Sequence, residues 1–318
     1  MRHVDPVELS RCMGKPMLCA AIDIGSNTTR ILVAEPDEGK LKKVMEQRAY
    51  TRIGQARSGD GSIPEEKIAE VAEVVETQVK LARELGAEGF RAVATAALRD
   101  APNGKEAAGQ IAETAGIPVS VVSENEEGRL AFLGATKALG YRVDGRVAVV
   151  DVGGGSTEII IGTVDGGVEQ VRSWPIGSGQ LADELIVSDP PSAAEIRRIR
   201  DRVDEEFAEV RITRPEQAVA VGGSATSLRK IVGARLEYET LERSIRVLSG
   251  DDAVEVGRQF ELDPVRVRIL ATGVLILEKI SELLGQELQI GKGGIREGIV
   301  LDMLNGGIDV SEPALAPG

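Results

Sequence analysis

Two short segments of the chain combine glycine and hydroxyl residues in a pattern that could bind phosphate. Asp23–Thr29 reads DIGSNTT and Asp151–Thr157 reads DVGGGST, and an apolar run precedes each of them. Glycine lets the backbone approach a ligand closely, and consecutive N–H groups in such a turn bind anions. An aspartate at the end of a strand can also hold Mg²⁺ through water, because this ion keeps several waters in proteins. The two segments therefore predict phosphate binding with a divalent metal.

A single segment of this kind is more often an ordinary glycine-rich hairpin. Its recurrence at equivalent places in two similar halves favours phosphate loops, and it predicts two lobes that present these loops to one cleft. The predicted metal ligands at the strand ends are Asp23 and Asp151. The predicted phosphate-binding residues of the two loops are Gly25, Ser26, Asn27, Thr28, Gly153, Gly154, Gly155, Ser156 and Thr157.

A third glycine-rich segment, Val221–Thr226, lies between a predicted strand and a predicted helix. Because the N-terminus of a helix favours anions, Gly222, Gly223 and Ser224 are further candidates for phosphate binding. The alternative is a simple strand–helix turn in which Ser224 caps the helix. The sequence favours neither interpretation.

A hydrolytic reaction in this chain would need a carboxylate as its base, since the one histidine is His3. That count excludes serine–histidine and cysteine–histidine catalysis and histidine-rich zinc sites. Glu126 has a structural task in a capping box with Ser123. Glu127 instead shares a helix face with apolar residues, so we expect it to point toward protein and to have the raised pKa of a general base. The alternative is a first-turn glutamate that complements the helix dipole.

Three further charged residues lie next to these segments. Arg30 follows the first loop and Arg99 follows a predicted strand, and an arginine can contact two phosphate oxygens at once. A surface ion pair is the alternative for each, and for Arg99 the neighbouring Asp100 could provide it. Glu158 directly follows the second loop, and the alternation of residues does not settle which face of the strand it occupies.

The elements that would position these residues alternate between strands and helices, which is the pattern of an α/β fold. The first half has predicted strands at 17–22, 29–34, 41–49, 90–95 and 118–122, the first three as a meander, and helices at 64–85, 103–115 and 123–139, the last closed by Gly140. The second half has predicted strands at 147–150, 158–162, 168–171 and 218–221, and helices at 192–210, 224–232, 264–284 and 294–304.

Composition narrows the class of protein. The 318 residues are enough for two domains of about 150 residues each. The net charge of −13 argues against binding to nucleic acid. No apolar stretch reaches the roughly 18 residues that span a membrane, and the first 16 residues are interpreted as a disordered extension or a stretch upstream of the true start. Two cysteines, Cys12 and Cys19, predict a reducing, cytoplasmic location. The sequence leaves open whether the protein forms a homodimer.

The motifs in their order resemble the exopolyphosphatase/guanosine pentaphosphate phosphohydrolase (Ppx/GppA) family of the short, two-domain type. The resemblance extends from about Met17 to Leu304. It is carried by Asp23–Leu32 (DIGSNTTRIL), Ala94–Gly104 (ATAALRDAPNG), Ser123–Gly134 (SENEEGRLAFLG), Asp151–Glu158 (DVGGGSTE), Val221–Leu228 (VGGSATSL) and Gly294–Val300 (GIREGIV).

The resemblance implies two actin-like, ribonuclease H-like lobes of the sugar kinase, heat-shock protein and actin (ASKHA) superfamily. One lobe would comprise residues 1–131 and 300–318, and the other 132–299. Glu127 would be the catalytic glutamate, Glu158 would lie near the metal and the water, and Arg30 and Arg99 match family positions. For Arg296 and Glu297 we expect a structural role in closing the C-terminal helix onto the lobes.

The leading functional expectation is an exopolyphosphatase, dependent on Mg²⁺ or Mn²⁺, that removes terminal orthophosphate from inorganic polyphosphate. One alternative is hydrolysis of guanosine pentaphosphate (pppGpp) to the tetraphosphate. Another is a sensor that binds an alarmone or a nucleotide without turnover, and a sugar kinase is less favoured.

Two other patterns carry no function in this interpretation. Gly177–Ala182 fits the GxGxxG/A dinucleotide pattern but lacks the flanking strands and helix, and is interpreted as a connecting loop. Ser192 and Glu195 form a capping box. The chain has no GxxxxGK[ST] motif, which excludes a P-loop NTPase.

Overall fold

The computed structural model describes residues 17–139, 141 and 143–306. The expectations for residues 1–16, which include His3 and Cys12, and for Gly140 lie outside the described residues. Among the described residues, no helix combines the length and the apolar character that crossing a membrane requires.

The secondary structure repeats once along the chain. The first series is β1 (Cys19–Ile24), β2 (Thr29–Asp37), β3 (Lys40–Ala49), a 3₁₀ turn (Ile53–Gln55), α1 (Glu65–Glu84), β4 (Gly89–Ala94), α2 (Ala96–Arg99), α3 (Gly104–Ala115), β5 (Val119–Val121) and α4 (Glu124–Lys137). The second series is β6 (Arg146–Val152), β7 (Thr157–Thr163), β8 (Gly167–Trp174), α5 (Ser178–Leu185), α6 (Ala193–Phe207), β9 (Gln217–Val221), α7 (Gly222–Val232), β10 (Arg235–Leu236), α8 (Tyr238–Leu248), α9 (Ala253–Phe260), α10 (Pro264–Arg268), α11 (Leu270–Leu284), β11 (Leu288–Ile290) and α12 (Ile295–Leu304).

The first sheet has the strand order β3-β2-β1-β4-β5. The predicted meander of β1, β2 and β3 is confirmed, and β4 and β5 continue the sheet parallel to β1. Ile22 and Ile31 belong to a core on one face of the sheet, whereas Leu32 packs with Leu130 of α4 and Ile299 of α12 in a core on the other. Because helices cover both faces, β1 and the middle of β2, residues 31–34, are apolar at nearly every position.

The second sheet repeats this order and adds one strand, as β8-β7-β6-β9-β11-β10. β6, β7 and β8 form the equivalent meander, and β9 and β11 run parallel to β6. The core consists mainly of isoleucine, valine, leucine and alanine, as expected from an aromatic content of 3%. In each unit, the loop between the first two strands therefore lies at the equivalent point of that unit's own sheet.

Several element predictions were wrong in detail. β1 and β6 extend through their aspartates to Ile24 and Val152, so Asp23 and Asp151 lie inside the strands rather than at their ends. The predicted helix 264–284 is two helices, α10 and α11, which are interrupted at Ile269 (φ −97°, ψ 0°). α2, α5, α8, α9, β10 and β11 were missed. The capping box of Ser192 and Glu195 is confirmed.

The chain forms two compact units, residues 1–137 with 295–318, and residues 138–294. The junctions expected at 131/132 and 299/300 fall inside α4 and α12. Both helices stay whole in the first unit because they pack tightly together. A Cβ atom at Gly298 would lie 1.9 Å from the Leu130 carbonyl oxygen, so only glycine fits this crossing.

Candidate functional site

The two predicted phosphate loops make the same turn. Gly25 N–H donates to the Thr28 carbonyl at 3.1 Å, and Gly153 N–H donates to the Ser156 carbonyl at 2.9 Å. The flanking pairs also correspond, Ile24 with Thr29 and Val152 with Thr157. The sequence repeat is therefore a repeat of backbone hydrogen bonding.

In each unit, the segment that follows the third strand donates backbone hydrogen bonds to the carbonyl groups of the loop. In the first unit, Gly54 N–H donates to the Ser26 carbonyl at 2.9 Å and Arg52 N–H to the Asn27 carbonyl at 3.1 Å. These bonds fix the peptide planes of the first loop, which is what a preformed anion site requires.

The equivalent support in the second unit is the start of α5. Ser178 N–H donates to the Gly153 carbonyl and Gln180 N–H to the Gly154 carbonyl, both at 2.9 Å. A Cβ at Gly177 would lie 2.4 Å from the carbonyl carbon of Gly154, so a glycine is required at this approach. The interpretation of 177–182 as a connecting loop was wrong, because from Ser178 onward the segment is helical and supports the phosphate loop.

The strand positions next to the two loops differ in charge. Asp23 pairs with Arg30 across β1 and β2, whereas Asp151 pairs with Glu158 across β6 and β7. Burial raises the pKa of Asp23, although the positive charges of Arg30 and Arg296 act against it. Directly paired residues in antiparallel strands point to the same face. The first unit therefore sets a carboxylate beside a guanidinium, and the second sets two carboxylates side by side.

Glu158 lies inside the protein, with 5% of its surface exposed. The Ser173 hydroxyl, opposite Glu158 on β8, donates to Glu158 Oε1 at 3.0 Å. On the other side of the pair, a Cβ at Gly222 would lie 2.1 Å from Asp151 Oδ1. Gly222 has φ of +81°, so both its conformation and its contact with Asp151 demand glycine.

The carboxylates of β6 and β7 are the donors best suited to a divalent cation. Among the described residues no group of three or more histidine, cysteine, aspartate or glutamate side chains could hold a metal ion. Mg²⁺, however, needs only one or two carboxylates besides its waters, and Asp151 and Glu158 form such a pair. Asp23 fits a cation less well, because two arginines already act on its charge.

The third glycine segment forms the first turn of a helix. Gly222, Gly223 and Ser224 open α7, so the backbone position at a helix N-terminus is as predicted. Ser224 does not cap the helix. It is fully buried, and its hydroxyl lies 3.5 Å from the Val152 carbonyl oxygen and 3.3 Å from Ser178 Oγ.

Thr157 is also engaged within the protein. It is fully buried and its hydroxyl donates to the Ile176 carbonyl at 2.6 Å. The two hydroxyls of Thr157 and Ser224 thus stabilise the second and third segments rather than extend from them.

Glu127 and Arg99, predicted separately, form one ion pair. Arg99 Nη1 donates to Glu127 Oε2 at 2.6 Å and to the Val122 carbonyl at 3.3 Å. Burial opposes the charge of Arg99, but the hydrogen bond and the charge of Glu127 leave the pKa of Arg99 raised overall. The expectation for Glu127 considered burial alone, whereas the structure places the Arg99 guanidinium directly against its carboxylate.

Arg99 has two longer contacts. Its Nε lies 3.6 Å from Asp100 Oδ1 and its Nη2 lies 3.9 Å from Glu124 Oε1. The Asp100 pair that the sequence offered as an alternative is therefore present, but the Glu127 contact is shorter. Of the capping box predicted for Ser123 and Glu126, one bond is present, since the Glu126 N–H donates to the Ser123 hydroxyl at 3.2 Å. The Glu126 carboxylate instead accepts from Arg129 Nε at 2.8 Å and Nη2 at 2.9 Å.

Arg30 and Arg296 add positive charge beside the first loop. Arg30 Nε donates to the Thr28 hydroxyl at 3.0 Å. Arg296 donates to the Ile31 carbonyl at 3.4 Å and to Glu46 at 2.5 Å, which supports its predicted structural role. Its effect on Asp23 was missed, and no local signal could have revealed it, because α12 returns to the first unit from the far end of the chain.

Comparison with known proteins gives a consistent picture. Residues 32–306 match the family model described as the Ppx/GppA phosphatase family. Exopolyphosphatase 1 of Mycobacterium tuberculosis is 28% identical over 92% of this chain and 90% of its own length. Exopolyphosphatase 2 of the same organism is 28% identical over 89% of this chain and 96% of its own length.

Solved structures agree with the sequence relatives. The crystal structure of the Aquifex aeolicus Ppx/GppA family member is 29% identical, has a TM-score of 0.77, and covers 92% of this chain and 99% of its own. An exopolyphosphatase from Cytophaga hutchinsonii, 20% identical with a TM-score of 0.79 over 91% of this chain and 98% of its own, shows the same fold. The predicted α/β architecture is confirmed. With a family match that spans most of its length, the chain belongs to the Ppx/GppA phosphatase family.

Proposed function

We propose that the protein is an exopolyphosphatase that hydrolyses the terminal phosphoanhydride of inorganic polyphosphate and releases orthophosphate. The observation that carries this proposal is the pair of glycine loops with the same backbone turn, one in each unit. Exopolyphosphatases are also among the relatives with which the chain aligns over most of its length.

Glu127 is the general base of the proposed reaction. Its carboxylate takes a proton from water, the water oxygen attacks the terminal phosphorus, and the bridging P–O bond breaks. The products are orthophosphate and a polyphosphate chain that is one unit shorter. The Arg99 contact at 2.6 Å holds the base in the ionised form that can accept the proton.

The first loop binds the terminal phosphate in this proposal. Backbone N–H groups of Ser26–Thr28 bind the terminal phosphate, since the Gly25 N–H is already used within the turn, and Arg30 lies beside them, oriented by its bond to the Thr28 hydroxyl. Arg99 can also contact phosphate, and the contact most readily replaced is the one to Glu124 at 3.9 Å.

The strand residues beside the second loop bind the metal in this proposal. Asp151 and Glu158 would hold Mg²⁺ or Mn²⁺, and Gly153–Thr157 with the N-terminus of α7 would bind further phosphate oxygens. When bound, the cation neutralises phosphate charge and so favours attack by water. Ser173 keeps Glu158 oriented through its hydrogen bond of 3.0 Å.

The test is orthophosphate release from polyphosphates of several lengths, pppGpp and ATP, with Mg²⁺ and after its removal by a chelator. We expect release that depends on the cation, with the highest kcat/KM for polyphosphate. Glu127→Gln should lower kcat by about 10²–10⁴-fold, the usual contribution of a general base. Glu113→Gln is the control, because Glu113 is an exposed carboxylate on α3 of the same unit.

The substrate arms separate the alternatives. A higher kcat/KM for pppGpp would replace polyphosphate as the substrate but keep the chemistry. Tight binding of nucleotide without phosphate release would identify a sensor. Undiminished release by Glu127→Gln would remove Glu127 from the mechanism.

A further inference from the structure

Ser178 is fully buried directly behind the second phosphate loop. Its N–H and its hydroxyl both donate to the Gly153 carbonyl, at 2.9 and 3.0 Å. A carbonyl oxygen has two lone pairs, so the two bonds satisfy it and hold the Gly153 peptide plane in one orientation. Since Gly153 N–H in turn donates to the Ser156 carbonyl, the restraint reaches the other end of the turn.

The same residue joins the second loop to two helices. Ser224, in the first turn of α7, places its hydroxyl 3.3 Å from Ser178 Oγ. The Thr272 hydroxyl of α11 donates to the Ser178 carbonyl at 2.7 Å. A Cβ at Gly273 would lie only 2.6 Å from Ser224 Oγ, so α11 approaches this cluster as closely as a glycine allows.

We propose that Ser178 is the positioning residue of the second phosphate loop. It acts through the Gly153 carbonyl, which orients the N–H groups of the loop, and it couples the loop to the N-terminus of α7. That this loop binds a cation and phosphate rests on the proposed function. The restraint on the backbone does not, and it can be measured without substrate.

The experiment compares Ser178→Ala with Ser244→Ala. Ser244 is a matched control, since it is also fully buried in the second unit and its hydroxyl donates to one backbone carbonyl, that of Thr240 at 2.8 Å. Three quantities are measured: amide hydrogen exchange of residues 152–158, the Kd for Mn²⁺ by calorimetry, and kcat and KM for polyphosphate. Thermal unfolding of each variant measures the general loss of stability.

For Ser178→Ala we expect exchange at 152–158 to become about fivefold faster, which corresponds to the loss of one hydrogen bond of about 1 kcal/mol. The Kd for Mn²⁺ should rise and kcat should fall by a similar factor. KM should change less, because the proposal assigns binding of the terminal phosphate to the first loop. Ser244→Ala should lower Tm without changing any of the three.

Wild-type exchange rates in Ser178→Ala, or equal changes in Ser244→Ala, would overturn the inference. If Ser178→Ala does not fold, Ser178→Cys keeps a side-chain donor, although a weaker and larger one, and should show a smaller change of the same sign. If the wild-type protein releases no phosphate, the proposed function fails, and the exchange measurement still decides whether Ser178 holds the loop.

Discussion

Asp23 and Asp151 occupy equivalent positions on equivalent strands, and the residue opposite each carries a different charge. Arg30 faces Asp23, whereas Glu158 faces Asp151. Two carboxylates in direct cross-strand contact repel each other, and a divalent cation is the ligand that relieves this repulsion. The residue difference therefore supports the proposal that the first loop binds phosphate and the second binds the metal.

The sequence could indicate which side chains carry chemistry but not which of them meet. Glu127 and Arg99 were each predicted from their own surroundings, and their contact at 2.6 Å depends on how α2 and α4 are placed. The contacts of Gly177 and Ser178 with the second loop were not predicted, for a similar reason. A glycine is required there only because the backbone of another loop lies 2.4 Å from where its Cβ would be.

The buried thiol of Cys19, which lies in the core that α4 and α12 cover, should make the stability of the protein depend on pH. Burial, with a smaller effect of Glu88, raises the pKa of this thiol from 9.0 to about 11. As the pH rises above 9, the unfolded chain loses the thiol proton before the folded protein does. The free energy of unfolding should therefore fall between pH 9 and 11, by up to about 1.4 kcal/mol per pH unit, while the contribution is complete below pH 9.

Urea unfolding of wild type and Cys19→Ala at pH 8, 9, 10 and 10.5 measures this contribution. The difference between the two slopes isolates Cys19, because the other groups titrate alike in both proteins. Equal slopes would show that the thiol does not differ between the folded and unfolded states.

Among the elements, the crossing of α4 and α12 leaves no room for a side chain at Gly298. Gly298→Ala would place a Cβ 1.9 Å from the Leu130 carbonyl oxygen, so the helices must separate. We expect a loss of about 1–3 kcal/mol in the free energy of unfolding, the usual cost of overpacking. Chemical denaturation measures it.

Gly109→Ala is the control for this prediction. Gly109 lies in α3, and a Cβ added there would have no atom within 4 Å, so alanine should stabilise the helix by up to about 1 kcal/mol. A similar effect of both substitutions would contradict the assigned crossing.

Strong periodic elements were predictable, and short or interrupted ones were not. The meanders and α1 follow from apolar runs and from the proline, glutamates and glycine at the helix ends. β10 and β11 are two and three residues long, too short for a pattern. The break at Ile269 has no proline or glycine to mark it, so one continuous helix was the natural expectation.

On the scale of the whole molecule, the first unit uses both ends of the described chain. α12 contributes Ile299 and Val300 to the core that also contains Ala21 and Leu32. The repeat was visible in the sequence because its loops are alike, but the assignment of α12 depends on tertiary packing and was predicted only approximately.

A chain that ends at Gly294 lacks α12 and should lose the fold of the first unit while the second unit keeps its own. Hydrogen exchange would then increase across 17–137 and stay slow in 146–290. A chain that ends at Gly306 is the control, since it retains every described element, and it should behave as the wild type. Slow exchange in the first unit without α12 would contradict this expectation.

The return of α12 also sets an order for folding during synthesis on the ribosome. The second unit is one continuous stretch, so its strands can pair without α12. The first unit is made earlier, yet the part of its sheet that α12 covers stays exposed until α12 itself has been synthesised. The nascent chain thus carries an uncovered apolar surface for most of its synthesis, and this is the stage at which a chaperone would protect it from aggregation.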